Sequence, residues 1–191
     1  MTVKSSRSAP EEKSLKRIDV TITYLEQTER PILPQPPLPR RKVALLRAEN
    51  MPVHFYRYLY RLVGDPCHWV SRRRMSDEKL VEIIHHPDVY IYVLYADGSP
   101  AGMAEIDARN AGAHELKFFG LAPDFTGSGL GRYFLTHIVD LAWLRGPKKL
   151  LLETCTLDHP AALPLYQKFG FKVSGRRDGV VELMEQPAAA H

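Results

Sequence analysis

Cysteine is nearly missing from this sequence. Cys67 and Cys155 are the two it has, far apart and without a CxxC pair. That pattern argues against a disulfide framework or a thiolate zinc site, and reduced, buried thiols in a cytoplasmic protein are the default. Long apolar runs are missing as well. None approaches the roughly 20 residues that cross a bilayer, so no membrane role is expected. The eight histidines form no HxxxH or facial-triad pattern, so no metal is expected. No internal repeat is present. The opening "MTVKSSRSAPEEKSLKR" lacks an apolar core and does not read as a secretory signal. Residues 1–17 read instead as a disordered leader, and 186–191 as a tail.

What remains is ordinary globular composition: 191 residues, 45% hydrophobic and 25% charged, enough to bury one real core. The net charge is +4, and much of it sits in three short clusters at 40–42, 72–74 and 148–149. Such clusters attract anions weakly. They are too short and scattered to imply nucleic-acid binding.

Periodicity predicts a strand over 18–25 ("IDVTITYL"). Five prolines between 31 and 39 then make an extended connector, a spacer first and a docking site for a proline-binding partner second. Strands are expected at 43–49, 89–96, 101–108, 114–122 and 149–156. Helices are expected at 52–63, 76–86, 132–145 and 160–170. In the first helix Phe55, Leu59 and Leu62 share one face, with Tyr56 and Tyr60 on another. "FKVSGR" and "GVVELM" read as a closing hairpin. The order describes a mixed α/β domain with one strand–loop–helix–strand unit at its centre.

The centre of that unit is "LAPDFTGSGLGRYFL" (121–135), where Gly127, Gly129 and Gly131 fall at every second position before a helix. A helix start carries unpaired N–H groups and partial positive charge, and bare glycine lets a phosphate reach them. Residues Thr126, Gly127, Ser128, Gly129, Leu130, Gly131 and Arg132 thus make chemical sense as a diphosphate cradle, with hydroxyl donors from Thr126 and Ser128 and a charge from Arg132. A P-loop is excluded, because Arg132 and Tyr133 stand where Lys and Ser/Thr are needed. A dinucleotide fingerprint is excluded by the GxGxG spacing and an acid, Asp140, that comes too early. An ordinary flexible turn stays open.

A second stretch decides between these. "HPAALPLYQKFGF" (159–171) resembles the N-x-x-A-x-x-L-Y-x-K/R-x-G-F motif of the GNAT superfamily of acyl-CoA-dependent N-acyltransferases. It does so through His159, Ala162, Leu165, Tyr166, Lys168, Gly170 and Phe171. "TGSGLG" resembles the superfamily's Q/R-x-x-G-x-G/A loop. The resemblance runs over residues 43–185 and departs at Thr126 and His159, which replace the usual Gln/Arg and Asn. Residues 18–42 precede it as a strand and connector.

The resemblance implies the GNAT fold, a central, mostly antiparallel sheet with helices on both faces. It implies acetyl-CoA as co-substrate and direct transfer to a primary amine in a ternary complex. Cofactor contacts would come from the cradle, from His159 and from the backbone of Leu121. Tyr166 resembles the superfamily's general acid. Glu115 is the first candidate for general base, Glu105 and Asp107 are rivals, and a water chain without a dedicated base stays open. Mid-strand Gly120 suggests a bulge or a close backbone approach near the thioester.

A ping-pong role for Cys155 is the lesser reading beside a buried inert thiol. Tyr56, Tyr60 and Trp69 are candidates for the acceptor wall. Arg72, Arg73 and Arg74 make the adjoining loop electropositive, which leans the acceptor toward a small amine with a carboxylate, or a protein N-terminus near acids. A non-catalytic acyl-CoA-binding module is the alternative, and a homodimer is left open.

Overall fold

The computed structural model describes residues 16–183. The tail and all but the last two residues of the expected leader lie outside them. Seven strands and four helices follow in the order β1 (Arg17–Gln27), β2 (Val43–Ala48), α1 (Val53–Gly64), α2 (Asp77–Ile84), β3 (Val89–Ala96), β4 (Ser99–Asp107), β5 (Ala113–Leu121), α3 (Leu130–Trp143), β6 (Lys149–Cys155), α4 (Ala162–Lys168) and β7 (Lys172–Glu182). They form one sheet in the order β2-β3-β4-β5-β6-β1-β7. Only the β5–β6 pairing is parallel.

The apolar side chains divide by face. One core packs α3 and α4 through Phe134, Leu135, Ile138 and Tyr166 onto Leu94, Ile106 and Leu150. The other packs α1 and α2 through Tyr56, Leu59, Tyr60 and Leu80 onto Ile91, Val93 and Met103. Spacing alone put Phe55 and Leu62 on the inner face of α1. The buried face is instead Tyr56, Leu59, Tyr60 and Val63. The two tyrosines turn inward because partners wait for their hydroxyls: Glu105 for Tyr56 and Ser71 for Tyr60.

β1 is an interior strand, antiparallel to both β6 and β7. Residues 28–42 then carry the chain to β2 at the opposite edge. Leu33, Pro36 and Pro39 are half-buried between exposed neighbours, the three-residue repeat of a polyproline helix laying one edge on the protein. Gln27 is 3% exposed and pins the start of this crossing. It donates to the Phe169 carbonyl and accepts from the Trp143 indole at 2.8 Å.

The expected closing hairpin is one continuous strand. β7 pairs with β1 from Arg17↔Glu182 to Glu26↔Lys172, so Gly175 and Gly179 are not turn residues. A Cβ on Gly179 would sit 3.3 Å from Ile22 Cδ1, so here glycine serves packing between strands.

His114 on β5 is 4% exposed and its Nδ1 has no partner among the described residues. Burial holds its pKa below the usual histidine value. The unfolded chain therefore binds a proton that the folded chain refuses, and stability falls as pH drops below about 6.5. Replacing His114 with Leu should flatten the loss of urea midpoint between about pH 6.5 and 5. An unchanged slope would mean that His114 is already protonated when folded.

Candidate active site

The site begins where β5 and β6 part. They pair only over Ala113–Glu115 and Lys149–Leu151, and beyond that the edge of β5 has no strand beside it. On the other edge β5 remains paired with β4 up to Gly102↔Leu121, with one irregularity between Glu105↔Phe118 and Ile106↔Leu116. Lys117 is the extra residue. This bulge changes which residues face which layer. His114 and Leu116 precede it, and Leu116 packs in the α3 core. After it Phe119 and Leu121 take that core, while Phe118 joins the α1 core.

The bulge expected near Gly120 thus lies at Lys117, and Gly120 meets the other demand, a close approach. A Cβ there would stand 2.6 Å from Val63 Cγ1.

The gap opens into a cavity of about 530 Å³ that runs from the glycine loop to the α1–α2 connection. Thr126, Gly127 and Gly131 line one end, and Leu121 and Tyr166 the middle. Tyr60, Trp69 and Phe118 line the other end.

At the first end, Gly129 caps α3 at φ +81 and Gly127 stands at φ +71, both in the left-handed region. No side chain caps the helix and no acid occupies its first turn. Among the described residues, the N–H groups from Gly127 to Arg132 have no acceptor. Arg132 is exposed there without an ion-pair partner, in a turn where the helix dipole disfavours a cation. Every feature that would stabilise the helix end by itself is missing, which leaves the end open to an anion. The hydroxyls of Thr126 and Ser128 take no part. They donate to the carbonyls of Pro123 and Phe125, each at 2.9 Å. Leu130 is buried in the core beneath the loop, and a Cβ on Gly131 would stand 3.7 Å from Leu121 Cδ1. Leu130 anchors the loop, and the unpaired backbone N–H groups are what it presents.

In the middle, Tyr166 is 8% exposed, with its ring edge-on to Phe119 and Phe171. Its hydroxyl has no partner among the described residues, and burial pushes its pKa well above that of free tyrosine. It therefore holds its proton at any physiological pH.

Asp158 shares this wall. Its Oδ2 accepts from Thr154 Oγ1 at 2.6 Å and from the Cys155 N–H at 3.0 Å. His159 is exposed at the cavity with Nδ1 accepting from the Ala161 N–H, so Nε2 is turned outward. Cys67 and Cys155 also line the cavity, and burial raises both thiols.

The acids separate. Glu105 is fully buried behind the wall, with Oε1 on the Arg72 guanidinium and Oε2 on the Tyr56 hydroxyl. Neither Glu105 nor Tyr56 lines the cavity. Glu115 accepts from Lys117 Nζ at 2.9 Å and also stands outside the lining. Asp107 is tied to Arg109. Besides Asp158, Glu153 is a cavity carboxylate that the sequence did not single out. It lines the cavity half-exposed, 3.9 Å from Lys117 Nζ. Only the divergence of β5 and β6 exposes it, and no motif marks it.

A splayed sheet, an uncapped glycine-rich helix start and a protonated phenol thus meet along one cavity. The sequence model of the GNAT acetyltransferase family matches residues 55–171, and the chain belongs to that family. The fold agrees with solved relatives. A GCN5-related N-acetyltransferase from Kribbella flavida superposes with a TM-score of 0.59 at 17% identity, over 91% of this chain and 62% of its own. A GNAT acetyltransferase from Elizabethkingia anophelis with acetyl-CoA bound gives 0.51 at 19%, over 70% and 78%. An aminoglycoside acetyltransferase from an uncultured soil sample, in complex with sisomicin, gives 0.54 at 12%, over 78% and 94%. The chain spans less than two thirds of the Kribbella protein's length. No curated protein sequence matches it. Among the described residues no helix is long and apolar enough to cross a membrane.

Proposed function

We propose that this chain is an N-acetyltransferase that moves an acetyl group from acetyl-CoA directly to a primary amine within a ternary complex. The observation that carries this reading is the continuity of the cavity. It joins the glycine loop, at Gly127 and Gly131, to the free Tyr166 hydroxyl through the open edge of β5. The amides and Arg132 fit a diphosphate, and the edge ending at Leu121 fits an extended amide-bearing arm. His159 Nε2 is free to add a donor. Acetyl-CoA supplies the activated acyl group.

The chain's own residues do the rest. Tyr166 stands as the acid for the departing thiolate. An amine of pKa near 10.4 arrives protonated and must lose a proton before it attacks. Glu153 is the carboxylate placed to take it through cavity water. Glu115, which shares Lys117 with it, is next in line. Both cysteine thiols are held protonated by burial, which supports direct transfer over an acyl-cysteine intermediate.

Calorimetry with acetyl-CoA and free-thiol release with an amine panel test the proposal. Gly129→Val supplies a sharper arm. Nothing lies within 4 Å of a Cβ at that position, so the damage comes from the backbone, because a β-branched residue is strained at φ +81. The loop should move off its left-handed conformation and acetyl-CoA affinity should fall by about tenfold or more, with the core intact. Native affinity in that variant would remove the cradle from the argument.

A further inference from the structure

The arginine run at 72–74 suggested an acceptor bearing a carboxylate. The structure removes that basis. Arg72 is buried on Glu105, Arg73 bonds Asp65 at 3.0 Å, and Arg74 bonds the Glu182 carbonyl at 2.8 Å. None of the three lines the cavity. Its one permanently charged cation among the described residues is Lys117. Lys117 is committed to Glu115 at 2.9 Å and stands 3.9 Å from Glu153. Burial works against its charge, and the Glu115 and Glu153 carboxylates more than offset that, so its pKa is raised.

The acids are less committed. Glu153 is 46% exposed. Asp158 spends one oxygen on its own loop, and Oδ1 has no hydrogen-bond partner among the described residues.

The remainder of the acceptor end is mostly hydrocarbon and aromatic, with His68 and Ser71 as its polar side chains. Trp69, Tyr60 and Phe118 form one cluster with ring centroids 5.0–5.4 Å apart. The Tyr60 hydroxyl is paired with Ser71 Oγ at 3.1 Å. Opposite them β1 contributes Val20 and Ile22.

Resting on the acetyl-transfer reading above, we infer that the acceptor is a monoamine carried on a flat apolar or aromatic body, without a carboxylate of its own. Its ring lies against Trp69 and Phe118, and its ammonium meets Glu153 and Asp158 at the end near Tyr166. A carboxylate entering this space finds no lysine or arginine free to pair with it and meets Glu153 and Asp158 as like charges. A sugar-like polyamine would press hydroxyls against aromatic faces that cannot bond them, so the site rejects it too. The amine end is favoured twice, by charge and by its distance from the ring wall.

The test uses the whole chain and three probes: 2-phenylethylamine, phenylalanine of the same reach, and the larger polyamine kanamycin. Acetyl-CoA binding is measured first, by calorimetry without acceptor. Thiol release then gives kcat/KM for each amine, and calorimetry on protein saturated with coenzyme A gives its Kd. 2-Phenylethylamine should exceed phenylalanine and kanamycin by about 30-fold or more in kcat/KM, with the same order in Kd. Trp69→Leu should weaken 2-phenylethylamine by about tenfold while leaving the acetyl-CoA Kd within about twofold. Arg74→Gln should leave the phenylalanine rate unchanged.

Equal or better use of phenylalanine or kanamycin overturns the inference, as does acetyl-CoA binding with no amine turned over. In both cases the acyl-CoA site would stand. Failure to bind acetyl-CoA at all overturns the inference together with the function it rests on.

Discussion

Replacing Tyr166 with phenylalanine is expected to lower kcat by about 10²-fold or more while changing the acetyl-CoA Kd by less than about twofold. The substitution removes one oxygen and leaves the ring, so the edge-on contacts with Phe119 and Phe171 persist and the fold is not disturbed. The lost group is the phenolic hydroxyl that the cavity leaves without a partner. Burial favours the neutral phenol, so the native enzyme should show no alkaline loss of kcat from this group up to about pH 10. Steady-state thiol release across pH, together with calorimetry, reads both effects. A kcat within threefold of native would leave the thiolate to be protonated by water, and the tyrosine to packing alone.

Breaking the buried Arg72–Glu105 pair should cost more stability than any other single change near the site. Glu105→Gln leaves the Arg72 guanidinium, 7% exposed, without its countercharge, and such uncompensated burial costs about 3–5 kcal/mol. Tyr56 keeps a neutral acceptor, and the Arg72 ion remains 5.4 Å over the Phe118 ring, a partial compensation. Arg72→Met combined with Glu105→Leu removes both charges and should recover at least half of the loss. Urea unfolding measures stability, and thiol release on folded protein measures activity. If Glu105 were the general base, the double variant would be stable and dead. A double variant with kcat within about threefold of native identifies the pair as the brace that holds the α1–α2 connection against the sheet.

The glycine loop was legible because its requirements are local. A left-handed residue before a helix favours glycine through local sterics, and Gly127 and Gly129 stand in that conformation. Tyr166 was legible through its company, since Leu165, Gly170 and Phe171 mark the same turn of chain. The acids were not. Glu105 and Glu115 sit on adjacent strands, and one joins a sealed ion pair while the other binds its neighbour Lys117. Choosing between them needs the partner's position, which lies 33 residues away for Arg72 and Glu105. The placement of the arginine run was illegible for the same reason. Three consecutive charges look like a field, yet each is discharged by a different acid or carbonyl. Gly175 and Gly179 looked like hairpin glycines because nothing in "VSGRRDGVV" reveals that β1 will lie alongside it.

From its sequence alone this chain determined its alternation of strands and helices, its family, the open helix start and the phenol beside it. Each of these is set by neighbours a few residues apart, where hydrogen-bond geometry and side-chain periodicity act. Tertiary structure alone decided that β5 and β6 separate, that β1 enters the sheet and lines the cavity, and that Glu153 faces the cavity while Glu105 is sealed away. Those outcomes depend on which strands pair and in what register, and on where a buried charge finds its partner. Both are settled by contacts distant in sequence, through energies that no single segment carries.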